Sequence, residues 1–187
     1  MGKSRLEAFS DGVIAIIITI MVLELRAPHG VTLDALAPLW PVFLSYVLSF
    51  AYVGIYWNNH HHMLHAVKHV SGSVLWANLH LLFWLSLTPF TTAWMGENHF
   101  APIPVAVYGV GLLMNAIAYT ILVRLLIGVH GRDSDFAARI GGDIKGYISL
   151  AMYIAAVGLS FVNAWISLAI FFAVAMVWFI PDRRFER

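Results

Sequence analysis

Six apolar stretches, at residues 12–25, 39–57, 74–95, 103–127, 147–162 and 165–180, occupy most of this 187-residue chain. A helix needs about 20 apolar residues to cross the hydrocarbon of a bilayer. Within lipid, only helices and closed barrels satisfy their own backbone hydrogen bonds. The pattern predicts an all-α integral membrane protein of six transmembrane helices, folded as one domain over residues 1–187. Short connections make neighbouring helices antiparallel. The balance of residues agrees, with 60% hydrophobic and only 11% charged, where soluble domains average about a quarter charged. A soluble enzyme and a disordered tail are excluded. A formal charge of +1 gives no footing for a nucleic-acid partner, and the absence of cysteine removes disulfides, thiolate metal sites and a cysteine nucleophile.

Proline and basic residues organise the stretches. Pro28, Pro38 and Pro41 mark the first connection, Pro102 and Pro104 open the fourth stretch, Pro181 closes the sixth, and Pro89 predicts a tolerated kink within the third. Residues 128–142 form the one clearly polar loop. Lys3, Arg5, Lys68, Arg124, Arg132, Arg139, Lys145, Arg183, Arg184 and Arg187 all fall on one side of this layout, and Arg26 alone on the other. Basic residues in short loops stay inside, so both termini are expected to be cytoplasmic. Trp40, Trp57, Trp94, Trp165 and Trp178 stand near stretch ends, where interfacial anchors belong. Glu7 and Asp11 interrupt the region that a signal peptide would keep basic, so the first stretch is read as a retained helix.

That first stretch is poorly suited to lipid. Asp11 and Glu24 enclose twelve uncharged residues, about 20 Å of helix against about 30 Å of hydrocarbon. A carboxylate facing lipid near the bilayer centre costs at least about 2.5 kcal/mol, so such groups normally face protein or water. The helix then lines something wet, or both acids sit near the headgroups with structural partners. Ile16, Ile20 and Leu23 follow an i, i+4, i+7 pattern, with Thr19 beside them. Within one chain that stripe is a packing seam. Around a symmetry axis, the same stripe stacks apolar rings that gate by dewetting. Ser10 and Asp11 fit the start of the helix, as a cap and as a charge favoured by the helix dipole.

Immediately before the stripe the chain reads Arg5-Leu6-Glu7-Ala8-Phe9-Ser10-Asp11, an R-x-x-x-F-S-D pattern. It resembles the signature of the transmembrane protein 175 family of potassium channels. Trp57-Asn58-Asn59-His60-His61 and Leu87-Thr88-Pro89-Phe90-Thr91-Thr92 resemble the same family, and the six-helix layout agrees with it. The resemblance implies a potassium-permeable cation channel in the prokaryotic cell membrane, a homotetramer of single six-helix repeats whose pore is lined by the first helix. It implies a pore constriction at Ile16, with further rings at Ile20 and Leu23 and a hydroxyl at Thr19. It also implies a network of Arg5, Phe9, Ser10 and Asp11 with Trp57, Asn59, His60 and His61, positioning that helix. Glu24 falls near the outer mouth, where it either concentrates cations or pairs as a surface carboxylate. The partners implied are the bilayer, monovalent cations and further copies of the chain. No cofactor is implied beyond K+ as the permeant ion, and no T-V-G-Y-G carbonyl filter occurs.

The rival reading is a membrane enzyme holding a metal or heme on a histidine-rich second helix. His61, His65 and His69 follow i, i+4, i+8, and His60 and His62 adjoin them. The remaining histidines, His29, His80, His99 and His130, are scattered singly, which leaves no second cluster to complete a coordination sphere. A small secondary transporter is a third reading. Asn78, His80, Asn115 and Asn163 are read as interhelical hydrogen-bond partners, and Gly109 and Gly111 as places of close helix approach.

Overall fold

The computed structural model describes residues 2–131, 133–140 and 143–179, all of it helix and short connection. The helices are α1 (Lys3–Leu23), α2 (Trp40–Ala66), α3 (Gly72–Ser86), α4 (Thr88–Glu97), α5 (Pro102–His130), α6 (Asp135–Ile140), α7 (Ile144–Leu159) and α8 (Ala164–Phe179). A 3-10 segment, Leu33–Leu39, leads into α2. Among the described residues, four spans are long and apolar enough to cross a membrane: α1, the 3-10 segment joined to α2, α3 joined to α4, and α5. The apolar helices α7 and α8 are shorter, at 16 residues each.

Several elements depart from the sequence expectation. α1 begins nine residues before the apolar stretch, because Leu6 and Ser10 extend its buried face and Lys3 pairs with Glu7 at 3.7 Å one turn along. Ser10 and Asp11 are therefore mid-helix: Gly2 holds the N-cap position, and the proposed capping and dipole roles are corrected. α2 runs on through His60, His61, His62 and His65 and stops at Ala66, so His69 lies off the helix. Its ring stacks instead on His130, with centroids 6.5 Å apart. The third stretch divides between Ser86 and Thr88, where Pro89 lacks an N–H and the Thr91 and Thr92 hydroxyls turn back onto the Thr88 carbonyl at 3.2 and 2.6 Å. The polar loop contains α6, whose Phe136 is buried. Pro181, Arg183, Arg184, Arg187, Arg132 and the end of the sixth stretch at Ile180 lie outside the described residues.

Two apolar clusters hold the helices together. One joins α1, α2, α3 and α5 through Ile14, Ile17, Met63, Leu81 and Leu122; the other joins α2, α5, α7 and α8 around Tyr108, Tyr153 and Phe171. Glycine permits two close approaches. A Cβ on Gly96 would stand 2.8 Å from the Val42 Cα, and one on Gly109 would stand 2.8 Å from the Phe171 ring. Gly111 is not in such a contact. α1 rests on α2, α3 and α4, while α7 and α8 pack on α5 and α2. The first helix is thus supported along one side only.

Candidate functional site

At 100° per residue, Arg5, Phe9, Gly12, Ile16, Ile20 and Leu23 form one strip along α1, with Thr19 at its edge. The strip is uncovered: Phe9 is 50% exposed, Ile16 58%, Ile20 43% and Leu23 76%. The opposite face carries Leu6, Ser10, Ile14, Ile17 and Met21, all buried. Thr19 Oγ1 donates to the Ile16 carbonyl at 2.8 Å, which leaves its lone pairs as the polar feature of the outer strip. Glu24 is the C-cap residue and half-buried. Among the described residues the ion pair is Lys3–Glu7, and Glu24 makes none with them.

A polar clamp fixes the buried face. Ser10 is fully buried, and its hydroxyl donates to the Leu6 carbonyl at 2.8 Å. Asn78 Nδ2, from α3, donates to Ser10 Oγ at 2.9 Å. His60, from α2, meets Asn78 Oδ1 through Nε2 at 2.6 Å. A carbonyl oxygen only accepts, so with the amide in this orientation the His60 proton sits on Nε2. The donors run in one direction, His60 to Asn78 to Ser10 to Leu6, and join three helices. One residue farther along α1, Asp11 Oδ1 accepts from Trp57 Nε1 at 3.0 Å. At the other end of the clamp, Lys3 Nζ donates to the His65 carbonyl at 3.2 Å, placing a cation against the C-terminal turn of α2.

Of the residues expected to form a network, Ser10 and His60 are joined through Asn78, and Asp11 is joined to Trp57. His61 stacks between Trp57 and His65 at centroid distances of 6.0 and 6.1 Å. Asn59 turns to the far side of α2, donating to the Ile55 carbonyl, and Arg5 and Phe9 lie on the exposed strip of α1. Asn78 is the interhelical hydrogen-bond partner that its place as a lone amide in an apolar stretch predicts, and the structure adds it to this network, between His60 and Ser10. The other polar residues divide differently from expectation: His80 accepts from Trp84 within α3, and Asn163 accepts from the Trp165 N–H at the start of α8. Asn115 is buried, with Oδ1 lacking any partner among the described residues. Among those residues, no three His, Asp or Glu side chains converge on a point that holds a metal ion.

Long apolar helices with their polar groups paired inward define a helical membrane protein. The sequence profile of the endosomal/lysosomal potassium channel TMEM175 matches residues 5–89, which include α1 from Arg5 onward and the His60, Asn78 and Ser10 side chains of the clamp. A potassium channel of Chryseobacterium sp. (strain P1-3) is 55% identical over 187 residues, covering 100% of this chain and 97% of that protein. A potassium channel of Streptomyces collinus is 33% identical over 89% of this chain and 86% of that one. The crystal structure of a lysosomal potassium-selective channel TMEM175 homolog from Chamaesiphon minutus superimposes with a TM-score of 0.82 at 30% identity, over 96% of this chain and 97% of that one. The chain belongs to the TMEM175 family. That membership sets aside the metal- or heme-enzyme reading: the family and these relatives are channels, not enzymes.

Proposed function

We propose that this protein is a potassium-permeable cation channel of the cell membrane, built from four copies around a central pore lined by α1. Each copy contributes six membrane helices, with both termini cytoplasmic. The observation that carries this reading is the uncovered strip of α1, backed along its length by buried apolar packing and the His60–Asn78–Ser10 clamp. Ile16, Ile20 and Leu23 then form three successive rings within about 10 Å of the axis direction. Narrow apolar rings gate by dewetting, without a carbonyl filter. Thr19 supplies oxygen lone pairs between them, and Glu24 faces the outer mouth as a source of negative potential. Four-fold closure covers the exposed face of α1 in every copy and leaves no open edge. The names of the relatives support potassium as the permeant ion.

Reconstituted flux tests the reading. Ile16→Asn, which places an amide in the narrowest ring, is expected to raise potassium flux or alter its preference over sodium. Flux unchanged in both size and selectivity would overturn the proposed axis. Potassium movement should also follow its gradient; uphill flux coupled to a second ion would establish the transporter reading instead.

A further inference from the structure

On the side of the bundle away from the strip of α1, between α2, α5, α7 and α8, lies a cavity with an open mouth. The walls are aromatic, with Tyr52, Tyr56, Tyr119, Tyr153 and Trp178. Asp143, the N-cap of α7, stands in the lining and uses Oδ1 to accept from the Gly146 N–H at 3.0 Å. Among the described residues Asp143 makes no ion pair, and no Lys, Arg or His lines the cavity.

The hydrogen bonds around the cavity give it a sign. Tyr52 donates its hydroxyl proton to the Phe171 carbonyl at 2.6 Å, and Tyr119 donates to the Asn59 carbonyl at 3.4 Å. Thr120 and Ser149 donate to the carbonyls one turn back, Ala116 and Lys145, each at 2.8 Å. The Asn59 amide donates to the Ile55 carbonyl, and the Trp178 indole N–H to Ser149 Oγ, both at 2.9 Å. These protons are committed to protein acceptors, so these groups turn lone pairs, a carboxylate and ring faces toward a guest, beside the Tyr56 and Tyr153 hydroxyls. The Asp143 carboxylate gives the cavity a negative charge, which complements a positive head on an apolar body.

We propose that this cavity binds a small organic ammonium ion, a primary amine carried on an aromatic or aliphatic body, one per chain. The ammonium lies toward Asp143 through charge-assisted hydrogen bonds, and the body lies among the tyrosines, whose faces also attract the cation. The site shares no residue with the α1 strip and stands independently of the pore reading.

Calorimetry on the purified full chain with 2-phenylethylammonium tests it, with neutral 2-phenylethanol and anionic phenylacetate as the comparison arms. Saturable binding at one per chain is expected, at least about tenfold tighter than either comparison compound. Asp143→Asn keeps an N-cap oxygen while removing the charge, and Ala116→Leu fills the cavity. Each should weaken binding by at least about tenfold, whereas Ile16→Ala should leave it unchanged. The proposal is overturned by absence of saturable binding at millimolar amine, by equal binding of phenylacetate, or by unaltered affinity in folded Asp143→Asn protein. One amine per four chains, lost with Ile16→Ala, would place the amine on the pore axis and also overturn it. The three-compound comparison on the unaltered protein decides the matter if a variant does not fold.

Discussion

Two buried asparagines carry opposite expectations. Asn78 is fully buried with both ends of its amide engaged, toward His60 and Ser10. Asn78→Leu strips a partner from two buried polar groups at once, at about 1 to 3 kcal/mol for each. A clear fall in melting temperature is expected, together with disturbed flux, because the clamp holds α1; an unshifted melt would show that the clamp is not structural. Asn115 is 2% exposed and its Oδ1 has no partner among the described residues. Asn115→Leu removes a desolvated amide at similar volume, so it should melt at or above the temperature of the parent protein. A loss comparable to that of Asn78→Leu would show that Asn115 has an essential partner. Nothing in the sequence separates these two residues, since both are lone amides in apolar stretches. The difference arises from what the neighbouring helix places opposite them.

At the scale of elements, the existence of the long helices was legible because an apolar run has few alternatives to helix in lipid. Their ends were less legible. Charges at Lys3, Glu7 and Asp11 read as the exterior of a membrane helix, yet α1 continues through all three. The Lys3–Glu7 pair, Trp57 on Asp11 and the packing of Leu6 stabilise the extra turns, and the last two contacts come from the tertiary structure. The break between α3 and α4 was legible through Pro89, since a missing N–H is a local fact. The α4–α2 contact was not legible, because it depends on Gly96 meeting the Val42 backbone. Backbone cannot yield as a side-chain tip does, so Gly96→Ala should lower stability by about 1 to 3 kcal/mol through overpacking. The added methyl would have to be accommodated by separation of α2 from α4. Gly128→Ala, where nothing lies within 4 Å of the added carbon, is the matched control and should change the melting temperature little. Equal effects of the two substitutions would remove close approach as the reason for glycine at Gly96.

At the scale of the whole molecule, an apolar strip on one chain has three possible neighbours: lipid, another part of the same chain, or another copy. The second is absent among the described residues, where Ile16, Ile20 and Leu23 remain exposed. The sequence alone could not separate packing seam from pore, because the spacing that builds one builds the other. The natural absence of cysteine makes the choice between lipid and another copy measurable. A disulfide forms when Cα atoms come within about 4.4 to 6.8 Å, a distance reached between copies only where the chains approach one another closely. Ile16→Cys and Ile20→Cys lie on the strip, whereas Phe172→Cys lies on α8, remote from α1 and 57% exposed. Under mild oxidation in membranes, at least one of the first two should give covalent dimers. Dimers are also the largest product that one thiol per chain allows, even around a four-fold axis. Phe172→Cys should remain monomeric under the same conditions, since a lipid-facing position meets its copies only by random collision. Cross-linking equal at all three positions, or confined to Phe172→Cys, would assign the α1 strip to lipid and place the assembly interface elsewhere.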